Sequence, residues 1–72
     1  MMRRDIINVI QTLLYDGPVS WPDIVFAIKD SGIKIKDWMI VRNNLQYLID
    51  HDICYRSRDV NVEVYFPHNL GE

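Results

Sequence analysis

Apolar residues return every three or four positions near the start of the chain, which is the spacing of one apolar helix face. Gly17 follows and suits a left-handed helix cap, and Pro18 cannot continue a helix. The pattern therefore predicts a first helix from about Arg3 to Tyr15. Its apolar face consists of Ile6, Val9, Ile10, Leu13 and Leu14, and Ile7 broadens it.

A second helix is predicted to begin at Ser20, because a serine hydroxyl is a good N-cap. Pro22 is tolerated in the first helical turn, and Asp23 favours the positive end of the helix. Gly32 supplies the cap that ends this helix. The inward stripe consists of Ile24, Ala27 and Ile28 with Val25 or Phe26 at its margin, and Phe26 is expected in the core.

The segment "GIKIK" from Gly32 to Lys36 alternates apolar and basic residues, which predicts a short strand. Asp37 is the expected N-cap of a third helix, which ends before a left-handed turn at Asp52. The core face of this helix is formed by Trp38, Val41, Leu45, Leu48 and Ile49. Its opposite face carries Met39, Arg42, Asn43, Gln46, Tyr47 and Asp50.

The last part of the chain has the alternation of a half-buried strand. Apolar Val60, Val62, Val64 and Phe66 alternate there with Asn61, Glu63 and Tyr65. The segment from Ile53 to Ser57 is its expected antiparallel partner, and Pro67 ends the sheet. The whole pattern predicts one α+β domain over residues 1–72, with three helices, a small antiparallel sheet, a core over about 3–67 and a short tail at 68–72.

Composition narrows the functional classes. A chain with 49% hydrophobic and 25% charged residues is globular. The lone cysteine, Cys54, excludes an internal disulfide and is expected to be buried, and His51 has a structural role at a helix end. We find no nucleophile positioned for catalysis, no glycine-rich phosphate loop and no metal motif, so neither an enzyme nor a cofactor is expected. No stretch resembles a signal peptide or a membrane span, so a cytoplasmic setting is expected.

The stretch "VRNNLQYLIDHDICYR", from Val41 to Arg56, resembles the winged helix-turn-helix domain of bacterial and phage transcription regulators. Their pattern places leucines at the positions of Leu45 and Leu48, and a helix stop where Asp52 stands. The resemblance covers about residues 3–67 and implies a winged helix whose β-hairpin is the wing. It also implies a transcription regulator with its third helix in the DNA major groove. The single-domain size suggests a phage or mobile-element protein.

The resemblance implies a set of DNA-contacting residues: Lys36, Met39, Arg42, Asn43, Gln46, Arg56 and Arg58. Arginine can pair with guanine, and asparagine or glutamine with adenine, through two hydrogen bonds each. The arginines that flank the expected hairpin tip would hold phosphates. The net charge of −2 is unusual for such a protein, but a local basic patch on an acidic body is compatible with it.

A protein partner is the alternative interpretation of the same helix. The candidate contact residues are Asp37, Met39, Ile40 and Tyr47. An apolar anchor with a charged rim is the usual anatomy of a protein interface. The partner would be a host nucleoprotein, such as a polymerase subunit or a repressor, which the chain inhibits or recruits.

Dimerisation is predicted from the first helix. A lone winged helix has a small DNA footprint, and regulators of this kind usually double it by pairing. Ile7 and Leu14 are offset from the main apolar stripe of this helix. We therefore expect a weak homodimer through the first helix.

Overall fold

Three helices and three short strands make up the protein. The computed structural model describes residues 3–58 and 63–67. In chain order the elements are α1 (Arg4–Tyr15), β1 (Val19–Ser20), α2 (Trp21–Asp30), α3 (Met39–Asp50), β2 (Cys54–Arg58) and β3 (Glu63–Pro67). The strands form an antiparallel sheet in the order β1-β3-β2. This α+β arrangement is compatible with a winged helix, and the predicted fold class is confirmed.

The predicted helix boundaries hold because the capping chemistry is local. The Ser20 hydroxyl accepts a hydrogen bond from the Asp23 backbone N–H, and the Asp23 carboxylate accepts one from the Ser20 N–H. Gly17, Gly32 and Asp52 have positive φ angles of 133°, 84° and 60°, as helix-ending turns require. The prediction of Asp37 as the N-cap of α3 is wrong by one residue: the N-cap position is Trp38, and the Asp37 carboxylate accepts the Met39 N–H at 3.0 Å from the residue before it.

Two strand predictions need correction. The segment from Gly32 to Lys36 is a loop, although its alternation is real: Ile33 and Ile35 pack against the core while Lys34 and Lys36 are exposed. The third strand is instead β1, which precedes α2. Its two residues, Val19 and Ser20, pair with Tyr65 and Val64 of β3. A strand of this length has no periodicity that a sequence pattern can reveal.

The buried face of β3 also differs from the expected one. Tyr65 is completely buried, whereas Val64 and Phe66 on the other face are only partly buried. Tyr65 lies on the sheet face that packs on the helices, and its hydroxyl group finds a partner in Glu63. The predicted strand positions Val60, Asn61 and Val62 lie outside the described residues, as does the tail at 68–72.

The core lies between the three helices and the sheet. Its buried apolar residues are Ile6, Ile7, Ile10, Leu14, Val19, Ile24, Ile28, Val41, Leu45, Leu48, Cys54 and Tyr65. Trp38 packs against this core and is partly buried. The prediction for Phe26 is wrong: its side chain is 71% exposed, because the inward stripe of α2 passes through Ile24 and Ile28.

Candidate nucleic-acid interface

Arg42 joins α3 to two other elements. Its guanidinium carbon lies 4.2 Å from the centre of the Trp21 ring at the start of α2. Its Nη1 atom lies 3.5 Å from Oε1 of Glu63 on β3. A cation over an indole face and a carboxylate beside it both favour one orientation of the arginine. The exposed face of α3 is therefore connected to the hairpin through Arg42.

Glu63 is held as a carboxylate at this junction. The Tyr65 hydroxyl donates a hydrogen bond to its Oε1 atom at 2.8 Å. This bond is the main reason that the pKa of Glu63 is lowered, and the positive charges of Arg56 and Arg42 contribute to the same effect. Glu63 therefore carries a negative charge between the two arginines at neutral pH.

Arg56 brings a second cation to the same junction. It lies opposite Tyr65 in the hairpin register, and its guanidinium carbon is 5.7 Å from the centre of that ring. The Arg56 side chain is exposed. Arg58 lies opposite Glu63 in the register, and its side chain is outside the described part of the chain. The hairpin thus adds at least one accessible arginine beside α3.

Two tryptophans, one of which contacts Arg42, pack against each other beside the Arg42–Glu63 contact. The rings of Trp21 and Trp38 meet edge to face, with centroids 6.5 Å apart and an interplanar angle of 81°. Lys29 Nζ lies 6.0 Å from the centre of the Trp38 ring. Trp21 has no signal in the hydrophobic pattern, because it stands in a capping turn where either burial or exposure is possible. Only the folded chain brings the Trp21 ring into contact with Arg42.

The other residues expected to contact DNA are exposed. Lys36 lies on the loop before α3, and Met39, Asn43 and Gln46 lie on the helix. Gln46 donates a hydrogen bond to Oδ1 of Asp50 at 2.9 Å, one turn along α3. We call the exposed set the α3–wing surface; it consists of Lys36, Met39, Arg42, Asn43, Gln46 and Arg56.

The residues of the alternative protein interface are less uniformly accessible. Asp37 is exposed, and the Met39 side chain is 56% exposed. Ile40 and Tyr47 are partly buried and pack against the core. The Tyr47 ring also lies 4.2 Å from the His51 ring, measured between centroids. Met39 is therefore the one large apolar side chain of this set that is mainly exposed.

The first helix offers fewer contact residues than expected. Ile7 and Leu14, on which the predicted homodimer was based, are buried in the core of the same chain. They are thus not available to a second copy unless the fold opens. The homodimer stays a prediction, and any contact through α1 must use other residues of that helix.

Cys54 is a buried thiol with a raised pKa. Burial raises the pKa of the Cys54 thiol to about 11, so the thiol is protonated at neutral pH. Across residues 3–58 and 63–67, no group of three or more His, Cys, Asp or Glu side chains could hold a metal ion. Within the same residues, no helix has the length and apolar character needed to cross a bilayer.

Comparison with known proteins gives no match. The chain matches no protein-family model, no curated protein and no solved structure.

Proposed function

We propose that this protein is a small DNA-binding regulator of transcription, with α3 in the major groove and the hairpin on the neighbouring backbone. The observation that carries the proposal is the contact of Arg42 with both Trp21 and Glu63. It connects the exposed face of α3 with β3, the strand that pairs with the Arg56-bearing strand β2. A winged helix that binds DNA uses its third helix and its hairpin together, and a direct contact between them favours simultaneous binding.

The distribution of charge supports this proposal despite the net charge of −2. Lys36, Arg42 and Arg56 contribute three cations to the α3–wing surface, where Asp37, Asp50 and Glu63 are the neighbouring carboxylates. Several carboxylates lie elsewhere: Asp16, Asp23 and Asp30 line a groove formed by α1, α2 and β1. Clustered cations attract phosphates locally, whereas exposed charges more than about 10 Å away are largely screened at ordinary salt concentrations.

The exposed residues of α3 have chemistry that can read base edges. Asn43 and Gln46 are one helical turn apart and both exposed, so they lie on neighbouring parts of the same face. Each side chain can pair with adenine through two hydrogen bonds, and Gln46 would exchange its bond to Asp50 for one with a base. Arg42 is suited to a phosphate or guanine at the junction with the hairpin.

Titration of the 15N-labelled protein with duplex DNA at low salt tests this function. We expect amide shift changes on α3 and β2 and an affinity that falls steeply as salt rises. Arg56→Ala should remove one phosphate contact and reduce the salt slope by about one unit. Arg4→Ala, which removes an exposed arginine at the start of α1, is the matched control and should change little. Absence of shift changes at low salt would refute the proposal.

A protein partner for the same surface is a second candidate, favoured by the 56% exposure of Met39. An exposed methionine beside charged residues is a suitable anchor for a protein interface. Met39→Asp should then abolish binding to the partner without unfolding the chain, and replacing Arg56 and Arg58 by alanine should matter little. The opposite result, an essential arginine pair and a silent Met39→Asp, would favour DNA.

A further inference from the structure

A shallow apolar groove runs between α1 and α2 and contains no residue of the α3–wing surface. Its wider part, of about 480 Å³, has an apolar lining of Leu13, Pro18, Val19, Phe26 and Ala27. Its narrower part, of about 260 Å³, shares Leu13 and Ala27 with the wider one and continues along α1 past Val9 to Asn8. The two parts adjoin at Leu13 and Ala27, and together we call them the α1–α2 groove.

Phe26 is a large apolar side chain that the core leaves on the surface. Its ring is 71% exposed at the edge of the groove, in a chain that buries Ile24 and Ile28 on the same helix. An exposed aromatic side chain beside an apolar groove is typical of a surface that another molecule covers. Tyr15 is more exposed still, at 92%, but it does not line this groove.

The charges around the groove specify what covers it. Asp16, Asp23 and Asp30 line its wider part, and no lysine or arginine does. None of the three forms an ion pair with a residue in the described part of the chain. Lys29, the neighbour of Asp30 on α2, is directed instead toward the Trp38 ring. The Asp23 carboxylate accepts a hydrogen bond from the Ser20 N–H.

We infer that the α1–α2 groove binds a basic segment of another protein, with a large apolar side chain packed against Phe26 and cations facing the three aspartates. The stretch from Asn8 on α1 to Asp16, the C-cap of that helix, is about 12 Å long, which matches a helical segment of roughly two turns. A twofold contact between copies of this chain would bring two acidic rims together, and like charges disfavour it. This inference does not depend on DNA binding.

Synthetic peptides of about two to three helical turns test the inference. The probe carries leucines and one tryptophan on one face and lysines on the other, and a second peptide has glutamate in place of every lysine. We expect the basic peptide to shift the amide signals of α1 and α2, more weakly as salt rises, and the acidic peptide to shift none. Phe26→Ser should weaken binding of the basic peptide about tenfold or more.

Matched variants separate the groove from a general attraction. Tyr15→Ser removes an even more exposed ring outside the groove and should leave the affinity for the basic peptide unchanged. Asp16→Asn with Asp30→Asn should weaken binding about fivefold, whereas Asp50→Asn with Asp52→Asn removes the same charge elsewhere and should not. Equal effects of Phe26→Ser and Tyr15→Ser, or shifts confined to the α3–wing surface, would overturn the inference. So would self-association in sedimentation that Phe26→Ser abolishes, because a second copy would then occupy the groove.

Discussion

Asn44 places a polar side chain in the apolar interior, where it is 1% exposed. Its Oδ1 atom accepts the backbone N–H of Arg3 at 2.7 Å, and its Nδ2 atom donates to the Ile40 carbonyl. The first bond connects α3 to the residue that begins α1, across 41 positions of sequence. Asn44 thus fixes the entry of the first helix against the third.

Replacing Asn44 by alanine should destabilise the protein by about 1–3 kcal/mol, because the Arg3 N–H loses its partner and a small cavity forms. This is a large share for a small domain, whose total stability is on the order of 5 kcal/mol. Urea denaturation followed by circular dichroism measures the loss. Asn43→Ala alters the exposed neighbour on the same helix and should change the free energy of unfolding by less than about 0.5 kcal/mol. Similar losses for both variants would contradict the role of Asn44.

Cys54 should be inert in the folded protein and reactive when unfolded. Its pKa is raised by burial to about 11 from an ordinary value of 9.0, so little thiolate exists at pH 8. Iodoacetamide should therefore alkylate the native chain slowly at this pH, and urea should accelerate the reaction strongly. Equal rates with and without urea would show that the thiol is accessible.

The same thiol makes stability depend on alkaline pH. A folded pKa above the unfolded one stabilises the fold fully below pH 9.0, and this contribution is lost as pH rises toward about 11. Comparison of the wild type with Cys54→Ala by urea denaturation isolates the effect from other titrating groups. The wild type should lose more stability than the variant between these two pH values.

Individual residues were predictable where their role depends on near neighbours in sequence. Ser20 and Asp52 have the capping and turn roles expected of them, because such roles involve only the adjacent turn. The sequence pattern predicts the wrong environments for Phe26 and Tyr65, because burial depends on which distant element covers each face. Asn44 was not singled out, since nothing in the local pattern separates it from its exposed neighbour.

At the scale of elements, the Tyr65 hydroxyl group stabilises the negative charge of Glu63 on the same strand of the hairpin. Tyr65→Phe removes the hydroxyl group that mainly lowers the pKa of Glu63, so this pKa should rise toward its ordinary value of 4.5. A lowered folded pKa stabilises the fold above 4.5, and the contribution is lost as pH falls through the folded value. The stability difference between wild type and Tyr65→Phe should therefore be largest at neutral pH and shrink below 4.5.

NMR titration of the Glu63 carboxyl carbon measures this change directly. Tyr47→Phe provides the control, because Tyr47 is a partly buried tyrosine that packs on His51 rather than on the hairpin. It should leave the pKa of Glu63 unchanged. An unaltered Glu63 pKa in Tyr65→Phe would mean that the two arginines, rather than the tyrosine, control the carboxylate.

The helices were predictable and the sheet only partly so, for a physical reason. A helix is specified by its own periodicity and caps: α2 has both, and α1 has the periodicity and a C-terminal cap. A strand is specified by its partner: the segment from Gly32 to Lys36 alternates correctly but pairs with nothing described, whereas the two residues of β1 pair with β3. The sequence predicts the residues of the α3–wing surface, which come from α3, the loop before it and β2. It does not predict the Arg42–Trp21 contact, which joins two elements that only the fold brings together.

On the scale of the whole molecule, β3 is the central strand of the sheet. It pairs with β1, near residue 20, and with β2, near residue 56, so it completes contacts with both halves of the chain. A fragment ending at Asp52 retains all three helical sequences but lacks Tyr65 and Cys54 of the core. We expect this fragment to show little cooperative thermal unfolding by circular dichroism, whereas a cooperative transition would show that the helices fold without the sheet.

The central position of β3 has a consequence for biosynthesis. A ribosome makes α1, α2 and α3 well before it releases β3, and the strand that closes the core is added late. The nascent chain therefore exposes the apolar faces of its helices until β3 emerges. Folding of the domain must wait for this strand, and during that interval we expect the helices to bind a chaperone that shields apolar segments.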